Sequence, residues 1–160
     1  MAKWVLAGLA VVCLAAAELQ RPGLPAAPDF AGVEPVEVDS VIDADTIRAG
    51  GDVIRLVGVD APESIASHGR ASTIWAHNLL DGEAVWLVQK EDEERDAYNR
   101  RLCYVYRAPD ALFVNLEAVR QGYAKAYRRF PFQFKEEFVA WEVYAKAHRK
   151  GLWRYRTRGD

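Results

Sequence analysis

The chain has 160 residues, 51% of them apolar and 28% charged, with a net charge of −2. That length suits one domain with a real core, and the apolar share excludes a mostly disordered protein. The net charge hides an asymmetry: residues 120–160 hold 11 Lys or Arg against 4 Asp or Glu. Such an end can meet a polyanion or simply form a solvated helix face.

Residues 1–17 read as a leader rather than part of the fold. Lys3 precedes 14 uncharged residues, Trp4 to Ala17, which end in the small residues Ala15, Ala16 and Ala17. A bilayer-spanning helix needs about 20 apolar residues, so the expectation is a cleaved secretory signal; an uncleaved N-terminal anchor is the alternative. Residues 18–33, with three prolines and little periodicity, are expected to form a flexible linker. The domain proper is placed at 34–155, with a basic tail at 156–160. Cleavage of the leader leaves Cys103 as the one cysteine, in an apolar run that suits a buried thiol.

Alternation of apolar and polar residues predicts strands over Val36–Ile42, Thr46–Arg48, Val53–Val59, Ala84–Val88 and Leu102–Tyr106. Apolar spacing of three and four predicts helices over Ser67–Leu80, Val114–Gln121 and Phe134–Lys150. Short strands separated by turn signals suit a small antiparallel barrel. The aromatic stripe of the third helix (Phe134, Phe138, Trp141) is expected to pack on that barrel, the usual fate of such a face.

Chemistry concentrates in three places. Asp45, Asp60 and Glu63 are candidate ligands for a hard cation, which takes oxygen donors. Their spacing is not that of an EF-hand loop, so any site must be assembled across strands. Arg55 and Asp60 are five positions apart, and strict alternation would put them on opposite faces. They converge only if the chain bends, and Gly58 is where that bend is expected. Arg55 and Arg100 are candidate phosphate clamps, because a guanidinium makes paired hydrogen bonds to phosphate oxygens; surface ion pairing is the plainer alternative. Glu63 is placed to activate a water or to hold one in an outer shell. His68, His77 and His148 lack metal-ligand spacing and read as surface residues. No nucleophile elbow, phosphate-binding glycine loop or CxxC pair is present.

Taken in order, Asp43-Ala44-Asp45-Thr46, Ile54 to Glu63, Asp96 to Leu102, Val114-Asn115, Gln121 to Ala124 and Gly151-Leu152-Trp153 resemble the staphylococcal nuclease (thermonuclease) family from about Val36 to Trp153. The resemblance implies a mainly β fold with α (α+β), a five-stranded OB-fold barrel with three packed helices. It also implies calcium-dependent cleavage of DNA and RNA to 3′-phosphate products by a monomer without a stable protein partner. By position it implies Asp45, Asp60 and the Ala61 carbonyl as calcium ligands. Arg55, Glu63 and Arg100 are implied as catalytic residues, and Tyr98 and Tyr127 as nucleotide contacts. Ala44, Ala61 and Asn99 depart from the family's usual Gly, Thr and Gly; a backbone ligand survives at Ala61, and Asn is the next-best residue for a left-handed backbone. A non-catalytic nucleic-acid-binding barrel is the competing expectation. A secreted or periplasmic protein follows from the leader, or a membrane-anchored one if the leader is kept.

Overall fold

The structure, a computed structural model, describes residues 20–63 and 67–155. The leader assigned to 1–17 and the tail at 156–160 therefore lie outside the described residues. The strands are β1 (Val36–Asp43), β2 (Thr46–Ala49), β3 (Asp52–Leu56), β4 (Val59–Asp60), β5 (Ala84–Gln89), β6 (Arg101–Ala108), β7 (Leu112–Phe113) and β8 (Lys125–Ala126). Three helices accompany them: α1 (Ser67–Leu80), α2 (Val114–Arg120) and α3 (Lys135–Ala147). A short 3-10 turn covers Gly151–Tyr155.

Sheet order is β3-β2-β1-β5-β6-β7, and β3 also pairs with β6. That last pairing is parallel, matching Ile54 with Arg101 and Leu56 with Cys103. It closes five strands into a barrel and so removes their open edges. The fold is the OB-type α+β barrel with three helices.

The core follows from the alternation that marks the strands. Ile47, Ile54, Leu56, Val85 and Val105 are fully buried. Phe138, Trp141 and Ala145 of α3 are also fully buried, so the aromatic stripe packs inward as its spacing predicts. Each such ring contributes about 2–3 kcal/mol relative to exposure. Tyr106 stacks on Phe113 with ring centroids 4.6 Å apart, and Phe138 meets Phe113 edge-on. Cys103 is a buried free thiol, and burial pushes its pKa up to about 11.

Residues 20–33 carry no helix or strand, yet they are fastened to the domain. The Trp141 indole N–H donates to the Gly23 carbonyl at 2.9 Å, and the Trp86 indole N–H to the Val33 carbonyl at 2.8 Å. Phe30 stacks on Trp86 at 4.5 Å. Two aromatic anchors thus hold a segment whose composition suggests a free linker. Among the described residues, no helix is long and apolar enough to cross a membrane.

Candidate active site

The site is built where the run from Val53 to Asp60 breaks. Ile54 and Leu56 point into the barrel and Arg55 to the other face. The expected single strand then divides into β3 and β4, because Gly58 turns with φ of 80°. A Cβ there would lie 2.6 Å from the Phe132 ring and 2.9 Å from the Phe138 ring, so glycine satisfies both the backbone and the packing. The Tyr127 N–H donates to the Gly58 carbonyl at 2.9 Å, and β4 pairs with β8. Asn115, fully buried, holds the break from inside: its side-chain amide donates to the carbonyls of Val57 and Cys103 and accepts from the Val105 N–H.

The bend brings Asp45 and Arg55 against the start of the next segment. Asp45 Oδ2 accepts from the Ala61 N–H at 3.0 Å and faces Arg55 Nη2 at 3.3 Å. The Thr46 hydroxyl donates to Asp45 Oδ1 at 2.8 Å, and Arg55 Nη1 donates to the Asp45 and Leu56 carbonyls. Asp60, exposed, immediately precedes the amide that Asp45 binds. Among the described residues, no three His, Cys, Asp or Glu converge as a cation cage. The available donors are instead the carboxylates of Asp45 and Asp60 and the Ala61 carbonyl, an all-oxygen set suited to a hard cation. Asp43, two residues before Asp45, lines the neighbouring groove with Thr46 and Arg48. Its Oδ1 is buried without a hydrogen-bond partner, and a buried carboxylate oxygen without a donor is costly until a cation or water satisfies it.

Arg100 arrives from the loop that precedes β6. Asp96 organises this loop, accepting through Oδ1 from the Tyr98 and Arg100 N–H groups and through Oδ2 from Arg100 Nε at 2.6 Å. Burial alone would raise the Asp96 pKa, but the hydrogen bonds from Arg100 and Tyr98 outweigh it and hold the carboxyl below its usual value. Asn99 takes φ of 63°, the left-handed backbone that its place in the loop suggests. The Arg100 guanidinium also lies over the Tyr98 ring, 5.3 Å from its centroid.

Arg55, Arg100, Tyr98 and Tyr127 line one cleft with a volume of about 320 Å³. Phe130, Phe132, Lys90 and Glu93 share its walls. The sequence reading missed these four, although an aromatic beside Arg128 and Arg129, 60% exposed at Phe130, is the kind of signal a stacking surface gives. Asp45 touches the cleft through Arg55, and the Oδ2 that faces Arg55 also accepts from the Ala61 N–H. Glu63 stands apart, exposed beyond Pro62, and its carboxylate has no hydrogen bond or ion pair among the described residues. Its backbone is held closely: a Cβ on Gly69 would lie 1.7 Å from the Glu63 carbonyl oxygen, so the first turn of α1 rests directly on that peptide.

A closed five-stranded barrel with an arginine-lined aromatic cleft on its side defines an OB-fold protein built to meet an anionic, ring-bearing ligand. Residues 53–155 match the family described as staphylococcal nuclease homologue, and the chain belongs to that family. It is 34% identical to the micrococcal nuclease of Shigella flexneri, across 94% of this chain and 88% of that protein. It is 31% identical to the thermonuclease of Staphylococcus intermedius, across 72% of each. An uncharacterized endonuclease of Escherichia coli O157:H7 is 35% identical across 71% of this chain and 72% of its own length.

Proposed function

We propose that this protein is an exported, calcium-dependent nuclease that hydrolyses phosphodiester bonds of DNA and RNA and leaves 3′-phosphates. The observation that carries the reading is the placement of Arg55 and Arg100 on one cleft, with Arg55 also paired to Asp45 beside Ala61. Relatives named endonuclease, micrococcal nuclease and thermonuclease support it.

The chemistry follows from charge. Hydrolysis gathers negative charge on the non-bridging phosphate oxygens, and Arg55 and Arg100 present fixed positive donors to them. Both now bind carboxylates, Asp45 and Asp96, so a phosphate must compete for guanidinium N–H groups. Five donors on each guanidinium leave room for both partners. A cation held by Asp45, Asp60 and the Ala61 carbonyl would supply further positive charge beside those oxygens. Glu63 takes the proton of the attacking water as its oxygen bonds to phosphorus; the bond to the 5′ oxygen breaks, and that oxygen is protonated from solvent. Tyr98 and Tyr127 hold the nucleotide, with Phe130 adding a ring to the same cleft.

Purified protein incubated with single- and double-stranded DNA and with RNA across calcium, magnesium and manganese tests the reading. Digestion with calcium that stops on chelation is expected. Arg100→Ala should lower the rate by about a hundredfold or more, the scale of losing a transition-state donor, in protein that stays folded with only a small drop in melting temperature from the lost pair with Asp96. Undiminished digestion in excess chelator would remove the metal from the proposal. Folded protein that binds DNA with no turnover in any of these metals would make the barrel a binding module instead. Export rests on the leader at residues 1–17, and the N-terminal residue of the protein recovered outside the cytoplasm tests it.

A further inference from the structure

Beside the arginine cleft lies a second groove, of about 510 Å³, that the chemistry above leaves unused. Arg48, Arg95, Asp43 and Asp52 line it, and it shares Tyr98 and Arg100 with the first cleft. We propose that this groove is a second phosphate subsite, taking the next internucleotide phosphate of a single strand bound in the first cleft, with Arg48 as its main contact. The proposal rests on the nucleic-acid reading of that first cleft.

Three observations carry it. The first is continuity. Tyr98 is 81% exposed and lines both grooves, so its ring forms a platform between them on which a base can stack. A strand that leaves Arg100 in one direction crosses Tyr98 into the second groove.

The second is the state of the cations. Arg48 projects from β2 between the buried Ile47 and Ala49 and makes no ion pair among the described residues. Arg95 uses Nη2 on Asp52 and Nη1 on the Asn99 carbonyl, both at 3.0 Å. A guanidinium carries five N–H donors, which leaves Arg95 free donors beside Arg48.

The third is charge balance. Asp52 is shared by Arg95 and Arg101, so its carboxylate is already satisfied by two cations. With their ion-pair partners counted, Arg48, Arg95, Arg100 and Arg101 stand against Asp43, Asp52 and Asp96, which leaves one positive charge in excess around the groove. A sugar–phosphate backbone is the ligand such a groove suits, since phosphate contacts need charge and donors but no base identity.

The test compares the full chain with its Arg48→Ala and Arg48→Lys forms on two substrates. One is a dinucleoside monophosphate, which has a single diester and cannot reach both grooves. The other is a single-stranded oligothymidylate of a dozen nucleotides. Arg48→Ala should raise KM for the longer strand about fivefold, as expected for one lost charged phosphate contact. It should also flatten the slope of log KM against log salt by about 0.7, the counterion release of one single-strand contact. Cleavage of the dinucleoside monophosphate should stay within about twofold of the parent, and Arg48→Lys should keep the parent's salt slope. An unchanged KM and salt slope for Arg48→Ala would overturn the subsite, as would an equal loss on both substrates. If the parent cleaves neither substrate, the nuclease reading fails on its own; fluorescence anisotropy of the labelled strand in chelator then decides the subsite by the same difference in slope.

Discussion

Gly58 shows how much of this site depends on one residue. Its φ of 80° is a conformation that an L side chain adopts at a cost of about 1–2 kcal/mol, and the Phe132 ring leaves no room for a Cβ. Overpacking adds about 1–3 kcal/mol. Gly58→Ala should therefore lose about 3 kcal/mol of stability in urea unfolding and move Asp60 away from Asp45. A loss below about 1 kcal/mol would show that the bend tolerates a side chain and that its geometry is set elsewhere. The bend itself is legible in the sequence, because Arg55 and Asp60 sit on opposite faces of a straight strand and only Gly58 can reconcile them. The partners of Asp45 are not legible. Ala61 offers no polar side chain, and its contact with Asp45 is a backbone N–H sixteen residues away in the chain. Asp43 opens the Asp43-Ala44-Asp45-Thr46 motif, but only the fold shows that one of its oxygens is buried without a partner.

Among the elements, β4 and β8 are the least visible in the sequence and among the most consequential. Each has two residues, too few for any periodicity, and the pairing of Val59 with Ala126 exists only in three dimensions. The longer strands and helices, whose alternation and three-four spacing repeat, fall close to their expected bounds. The tie that steadies β8 comes from α3. Glu142 is buried and accepts from the Ala126 N–H at 3.2 Å, from Arg128 at 3.0 Å and from Lys146. Burial would raise its pKa, but Lys146, Arg128 and the Ala126 N–H together hold it below the usual value. Through β8 this carboxylate braces β4, and so Asp60. Glu142→Gln keeps the size but removes the charge, leaving two cations without their partner. It should cost about 1.5–3 kcal/mol, the range for hydrogen bonds to a charged group, measured by urea unfolding. Arg128 and Lys146 are partly exposed, and solvent takes up part of that loss. Unchanged stability would mean that α3 holds β8 by apolar packing alone.

For the whole molecule, the distribution of ion pairs sets a direction for acid stability. Asp52, Asp96, Asp110 and Glu142 all have carboxyl pKa values lowered from ordinary values of 3.8 for Asp and 4.5 for Glu. Arg95 is the main cause at Asp52, and Arg107 at Asp110. At Asp96 and Glu142, burial opposes the shift and hydrogen bonds prevail. A carboxyl with a depressed folded-state pKa stabilises the fold above its unfolded value, and that contribution disappears as pH falls through the folded value. The stabilisation should therefore be complete near neutrality, begin to fall below about pH 4.5, and continue to fall below pH 3.8. The Asp110 and Asp52 side chains are 48% and 31% exposed, against 18% and 3% for Asp96 and Glu142, so screening weakens the first two pairs more and most of the loss belongs to Asp96 and Glu142. These two act at different places: Asp96 shapes the Arg100 loop, and Glu142 braces β8 behind Asp60. Acid should accordingly loosen both sides of the cleft before the barrel core melts, because no carboxylate lies among its fully buried strand residues Ile47, Ile54, Leu56, Val85 and Val105. Hydrogen exchange at pH 7 and near pH 3, below the ordinary carboxyl values, measures this order. Tyr98, Arg100 and Ala126 amides should lose protection first, while those of Ile54 and Val105 hold. Simultaneous loss at all five positions would show that the carboxylates stabilise one cooperative unit rather than the two walls of the site.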